Sequence, residues 1–481
     1  MYNMTQKTVS AFKWSAIERI ATQSIQLVII LILGRLLGPE AFGLVAMLAI
    51  FISICNAFVD SGFSSALIRK VDRNEEDYST TFYFNILVSL LCYCIIYITS
   101  PFISSFYETP ELSKILRILA LSIIINSFFI IQRAKLTIKM DMKTQAKVSL
   151  ISVIISSIVS LSFAYYKLGV WSLVAQTLSF SLSNAIFFNL LSPWRPTSKF
   201  SVASFKELFG FGNKILLSTL LTVIYDNMYG IIIGKMFNAN QLGYFTQANK
   251  LAFLPSTTLT GIIQKVTYPM MSNIQNDSNV LNNTYILTLR LSATIIFPIL
   301  TILAISSKPI IIIALGLNWI NAADYMFLLC LAYMLYPIHA INLNLLQVKG
   351  RSDLFLRLEV IKKILTTVIL IITIPFGIKA ICIGILFQSY ISLIINTYYT
   401  ERLLSLNIQK QISTIIPIWL ITLFCGVVSW YISSLIKLDI YKIISIGVSY
   451  LSLYFVLIKT FENDLFMIIS SLLTKKEKAN E

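Results

Sequence analysis

Apolar runs of about 20 residues follow one another from Trp14 to Ile458, separated by short connectors rich in glycine, proline or charge. As an α-helix rising 1.5 Å per residue, such a run crosses about 30 Å of hydrocarbon. The runs begin with Trp14–Gly34 and Phe42–Gly62 and end with Ile412–Leu435 and Ile440–Ile458. They predict an all-α polytopic membrane protein of about 14 transmembrane helices. No stretch remains for a folded soluble domain. The first run carries Glu18 and Arg19 and ends in a glycine connector rather than a small-residue cleavage site, so it reads as a retained span and not a signal peptide.

The connector between the first two runs is GRLLGPEAFG, from Gly34 to Gly43, and the connector between the seventh and eighth is GKMFNANQLG, from Gly234 to Gly243. Both have glycine at each end, a base second, and large apolar residues third, fourth and ninth. A basic connector also follows the fourth run of each half, starting near Gln132 and Gln347. An even-numbered unit restores the orientation, so the pattern predicts two parallel six-helix repeats facing a central cavity, plus two extra C-terminal helices. The expected divisions are 1–200 for the first bundle, 201–400 for the second, 401–460 for the two added helices, and 461–481 for an amphipathic, basic cytoplasmic tail. In that tail Phe461, Leu465, Ile469, Leu472 and Leu473 fall near helical spacing, as an interfacial helix would place them. The connectors themselves read as structural: glycine lets backbones turn and approach, and Pro39 sets the turn.

Composition agrees, with 57% hydrophobic residues, 12% charged and a mean hydropathy of +0.78. A net charge of +16 would suit nucleic acid, but most of the 38 Lys and Arg sit on alternate connectors, such as Arg69, Lys70 and Arg73 or Arg195, Lys199, Lys206 and Lys214. The positive-inside rule explains that bias, puts both termini in the cytoplasm, and leaves no call for a nucleic-acid partner. The six cysteines lie in apolar runs without metal spacing and read as inert buried thiols; no metal or cofactor is expected. There is no P-loop, HExxH or GxSxG motif, and Gly210-Phe211-Gly212 follows no strand. Short outer connectors also argue against an enzyme.

An ionisable side chain at mid-bilayer costs about 2.5–3.5 kcal/mol on insertion scales, so those present should face a cavity or one another. The first run places Arg19, Gln23 and Gln26 on one stripe beside Glu18; the second offers Asn56 and Asp60, the seventh Thr222 and Asp226. By depth, Glu18, Arg19, Asp60 and Arg290 form an expected inner cluster, and Asp226 and Lys250 an outer pair. Arg19, Lys250 and Arg290 suit an anionic cargo, above all a phosphate, while Glu18, Gln23, Gln26, Asn56, Asp60, Thr222 and Asp226 are candidate cavity-lining or ion-coupling groups. Salt bridges that only lock helices together are the alternative reading, weighing more for Glu18 and Asp226 than for Arg19, Lys250 and Arg290. His339, two residues after Pro337, reads as a satisfied structural histidine; Pro255, Pro298 and Pro337 interrupt three runs.

DSGFSSALIRK from Asp60, GVWSLVAQ from Gly169, FGFG from Phe209, YDNMYGIIIGK from Tyr225, LGYFTQANKLAFLP from Leu242 and VTYPMMSNIQND from Val266, together with the first connector, resemble the Wzx-type polysaccharide flippases. The colanic-acid-exporter-like branch is the most similar, within the superfamily that also holds multidrug extruders, and the likeness runs from about Phe12 to Asn342. That resemblance implies alternating-access transfer of an undecaprenyl-diphosphate-linked oligosaccharide to the outer leaflet of a bacterial inner membrane, for cell-surface polysaccharides such as O antigen or lipopolysaccharide. It implies an ion gradient as driver, no covalent chemistry, a monomer, and a polysaccharide polymerase and chain-length regulator as partners. An ion-coupled drug extruder of the same fold and a lipid II flippase are the alternatives. The extruder would favour acids in its cavity, where this chain has bases.

Overall fold

A computed structural model describes residues 2–404 and 406–467; within them every regular element is helical. In lipid this is forced, because a helix satisfies its own backbone groups where no water can. The chain divides into two compact units, residues 1–243 and 244–481. The division falls after the seventh run, not before it.

The first unit holds α1 (Tyr2–Asp60), α2 (Phe63–Arg69), α3 (Glu75–Phe106), α4 (Glu111–Leu119), α5 (Leu121–Ser127), α6 (Ile130–Ile138), α7 (Met142–Tyr165), α8 (Trp171–Leu191) and α9 (Val202–Met236). The next helix, α10 (Ala239–Asn273), starts there and continues into the second unit. That unit continues with α11 (Ser278–Ile305), α12 (Ser307–Ala314), α13 (Ile320–Tyr333), α14 (Tyr336–Val348), α15 (Ser352–Thr373), α16 (Ile378–Glu401), α17 (Ile408–Ser434) and α18 (Asp439–Phe461).

Among the described residues ten helices are long and apolar enough to span a membrane, or eleven with the bent segment 111–138. The expected fourteen are not reached by this measure, for two physical reasons. One is that α1 contains two runs and breaks at Gly38, whose φ of 73° and ψ of 177° are non-helical. Pro39 disfavours helical geometry in the residue before it, and glycine tolerates the positive φ that results. The other is polarity. The 35 residues of α10 are rich in uncharged polar residues such as Gln247, Asn249, Thr257, Thr258 and Gln264, and the 22 of α15 include Asp353, Arg357, Glu359, Lys362 and Lys363.

In the first unit the two similar connectors meet. A Cβ placed on Gly43 would lie 1.7 Å from the Ala239 carbonyl oxygen, and one on Gly243 would lie 2.0 Å from the Pro39 carbonyl oxygen. These are matching positions of the two copies, so the contact is reciprocal. Where the first copy turns at Gly38, the second uses Asn238, whose Oδ1 accepts the Gln241 N–H at 2.9 Å and caps α10. A second reciprocal contact lies at the other end of α9. A Cβ on Gly212 would fall 2.5 Å from the Ser61 oxygen, and one on Gly62, at φ 70°, 2.6 Å from the Gly212 oxygen. Between these ties no residue from Leu217 to Ile232 is buried. Thus α9 is packed most closely on α1 at its two ends, with no fully buried residue in that stretch.

The core of the second unit runs along α11, α14 and α17, from Tyr285, Leu289, Phe297 and Leu300 to Ile338, Leu345 and Ile418. Leu465 is fully buried in it, so the start of the expected tail folds onto this core. Ile469, Leu472 and Leu473 lie outside the described residues. Five of the six cysteines are buried as expected; Cys94 on α3 is exposed, which corrects that reading.

Overpacking a close backbone contact typically costs about 1–3 kcal/mol. Gly212→Ala is therefore expected to lower the apparent Tm of the purified protein. Gly447→Ala, in α18 with no atom within 4 Å of its added methyl, should leave Tm unchanged or raise it.

Candidate functional site

The first unit sorts the polar groups within its apolar helices into two kinds. On α1, Glu18 is half-buried and its Oε1 accepts the Ser149 hydroxyl of α7 at 2.6 Å. Its carbonyl accepts from Thr22 Oγ1 at 2.6 Å. Asn56 Oδ1 accepts from Asn126 Nδ2 of α5 at 3.5 Å, and Asp60 accepts the hydroxyl of Ser64 on α2. These three hold helices to one another. Arg19 differs: it is exposed, and among the described residues its guanidinium has no partner. Gln26 is exposed on the same side and Gln23 is half-buried between them.

Thus the expected inner cluster is not assembled within the first unit. Glu18 and Asp60 each find a serine hydroxyl, and neither pairs with Arg19. On α9, Thr222 and Asp226 are exposed, with the Thr222 hydroxyl donating to the Ser218 carbonyl at 3.0 Å. Asp226 belongs to the first unit and Lys250, its expected outer partner, to the second.

In the second unit Lys250 is exposed on α10, with no partner among the described residues. Arg290 on α11 instead forms an ion pair with Glu462, just past α18, and both are largely shielded. Such a pair is what the helix-locking reading expects of Arg290. The sequence could not show it, because 172 residues separate the partners. His339 is also structural. Its Nδ1 accepts from Asn396 Nδ2 at 3.0 Å, and Nε2 faces Ser389 Oγ at 3.2 Å. Because the Ser389 hydroxyl already donates to the Ala332 carbonyl at 2.7 Å, Nε2 must be the donor, leaving a neutral imidazole satisfied on both sides.

A polar lattice that sequence reasoning missed fixes the start of α9. Asn74 and Asp77 cap α3 reciprocally, each side chain accepting the other's backbone N–H at 3.0 Å. Asp77, 1% exposed, also accepts Lys70 Nζ at 3.0 Å and the hydroxyl of Ser204 on α9. Lys70 reaches Glu207 as well, at 3.0 Å. Burial by itself would lower the Lys70 ammonium, but the hydrogen bonds and charges of Glu207 and Asp77 outweigh it and hold the group above its usual range. Glu75 accepts from Lys135 at 2.9 Å and from Trp194 Nε1 at 2.8 Å. Ser79 and Thr80 accept the backbone N–H groups of Ser198 and Ser201, at 3.3 and 3.0 Å. The segment between α8 and α9 is thereby moored to the first turns of α3. The one local signal was Asn-x-x-Asp ahead of an apolar run, a capping-box pattern.

What the arrangement can do follows from the exposed groups. An exposed cation on a membrane helix must meet water or an anion. Arg19 offers a planar donor fork suited to phosphate oxygens, and the amides and hydroxyls near it suit sugar hydroxyls. Among the described residues no cluster of three or more His, Cys, Asp or Glu could hold a metal.

A protein-family model described as polysaccharide biosynthesis protein matches residues 32–324. The teichuronic acid biosynthesis protein TuaB of Bacillus subtilis (strain 168) is 24% identical over 443 residues, covering 90% of each chain. The lipopolysaccharide biosynthesis protein WzxC of Escherichia coli (strain K12) is 22% identical over 401 residues, covering 82% of this chain and 80% of that one. Among solved structures, the lipid II flippase MurJ in an inward closed conformation aligns with a TM-score of 0.73 at 16% identity, over 94% of this chain and 100% of that one. At such identity the structural likeness speaks to the fold alone.

Losing the Arg290–Glu462 pair is expected to cost about 1–3 kcal/mol, since it strands a half-buried charge. Arg290→Glu should lower the apparent Tm, and the double variant Arg290→Glu with Glu462→Arg should recover most of it together with transport. Transport that stays lost in the stable double variant would return Arg290 to the cargo.

Proposed function

The chain belongs to the polysaccharide biosynthesis protein family, and on that premise we propose that it is a flippase for a polyprenyl-diphosphate-linked oligosaccharide. It carries the repeat unit from the cytoplasmic to the outer leaflet of a bacterial inner membrane, with both termini cytoplasmic. The transfer makes and breaks no covalent bond, runs by alternating access and draws on an ion gradient.

The observation that carries this reading is the unpaired, exposed Arg19, on the same stripe as Gln23 and Gln26 in a helix otherwise made for lipid. A drug extruder for cations has no use for a lone guanidinium there, whereas a diphosphate does. Lys250 on α10 is a second cation of the same kind. Carboxamides and hydroxyls at Gln23, Gln26 and Thr222 serve the glycan, whose sugars need donors and acceptors without net charge. Glu18, Asn56 and Asp60 serve by shaping the helices that present these groups. The names of the two relatives, both in surface-polysaccharide biosynthesis, support the same class of cargo.

The test is the leaflet distribution of lipid-linked oligosaccharide, read with a membrane-impermeant glycan-modifying enzyme in cells with and without the protein. Cytoplasmic accumulation in its absence, reversed on restoring it, is the expected result; an unchanged distribution overturns the reading. Replacing a charge-assisted contact worth about 1.5–3 kcal/mol lowers affinity roughly 10- to 100-fold. Arg19→Gln is therefore expected to slow export by at least about tenfold at unchanged protein level. Normal export by that variant would remove Arg19 from the cargo site.

A further inference from the structure

We propose that the exposed stripe of α9 from Lys214 to Ile224 is the rail along which the lipid-linked substrate travels, with Lys214 holding its diphosphate. The proposal rests on the flippase reading and adds a residue and a surface to it.

In the sequence Lys214 looks like the last base of a connector. In the structure it lies well inside α9, about 10 Å along the axis from Glu207, the residue that pairs with Lys70 at the helix start. It is exposed, and among the described residues it has neither an ion pair nor a hydrogen bond. Ser218 and Thr222 follow at four-residue steps, both exposed, each step drifting about 40° around the helix. Beside this stripe runs a second exposed one, made of Leu217, Leu221 and Ile224, with relative exposures of 63%, 56% and 45%.

Uncovered polar and apolar faces lying side by side on one membrane helix call for an amphiphile. Lipid alone would leave the Lys214 ammonium and the Ser218 hydroxyl unsatisfied, and water alone would leave the leucines exposed. A polyprenyl-diphosphate glycan meets both needs, with diphosphate on the ammonium, sugar hydroxyls on Ser218 and Thr222, and prenyl chain on the apolar stripe. The ties at Gly212 and at Gly43 and Gly243 hold the two ends of α9, and Lys214, Leu217, Ser218, Leu221, Thr222 and Ile224 between them stay exposed.

The test is binding of a polyprenyl diphosphate, presented in detergent micelles to the full-length purified protein, beside inorganic diphosphate as the headgroup alone. Lys214→Gln is expected to weaken polyprenyl diphosphate binding about tenfold or more, Lys214→Arg to retain it, and Lys206→Gln, nearer the helix start, to leave it unchanged. Leu217→Ser with Leu221→Ser should weaken the prenylated ligand while leaving inorganic diphosphate binding as in the parent. Apparent Tm of each variant separates lost binding from lost fold. Tight binding by a folded Lys214→Gln variant in a protein that still flips its cargo overturns the rail and spares the flippase. Equal loss of both ligands in the leucine variant overturns the prenyl stripe. Failure of the parent protein to bind polyprenyl diphosphate, with an unchanged leaflet distribution in cells, overturns both.

Discussion

The first unit depends on four places where a main-chain oxygen sits where a neighbouring side chain would begin. Gly43 meets the Ala239 oxygen, Gly243 that of Pro39, Gly62 that of Gly212, and Gly212 that of Ser61. In hydrocarbon there is little hydrophobic gain in bringing two apolar helices together, so association rests on close packing, and residues without side chains permit it. These contacts come as two reciprocal pairs, one at each end of α9. They fix that helix by its ends and set the rest of the unit around it.

Holding a helix most closely at its ends leaves side chains between them open. Elsewhere in the unit polar groups disappear into helix contacts: Ser149 takes up Glu18, Asn126 takes up Asn56, and Asp77 gathers Lys70, Ser204 and the end of the preceding connector. Lys214 on α9 and Arg19 on α1 have no such partner among the described residues, and both side chains stay open. The same physics that makes a buried charge seek a partner makes an open one informative. Arg290 and Arg19 look alike in sequence, and only one of them carries a carboxylate.

Several motifs that carry the family resemblance turn out to be the packing contacts. GRLLGPEAFG and its echo supply Gly43 and Gly243, DSG supplies Gly62, and FGFG supplies Gly212. The second glycine of the lone GxG is where α9 touches α1. Such glycines are recognisable in a sequence because few alternatives fit, whereas the side chains that touch cargo can be drawn from many polar types.

The sequence by itself determined that this is an all-helical, multi-pass membrane protein of the polysaccharide biosynthesis family. Hydropathy over about 20 residues and glycine at tight backbone contacts are both local properties of a chain. It also marked which polar residues lie at membrane depth. Tertiary structure alone decided which of those are spoken for. Glu462 reaches Arg290 across 172 residues, and Ser149 reaches Glu18 across 131. It also moved Lys214 from a connector to the open face of a helix. Partnership between side chains is a matter of distance in space, and a one-dimensional pattern carries depth and face but not the neighbour on the next helix.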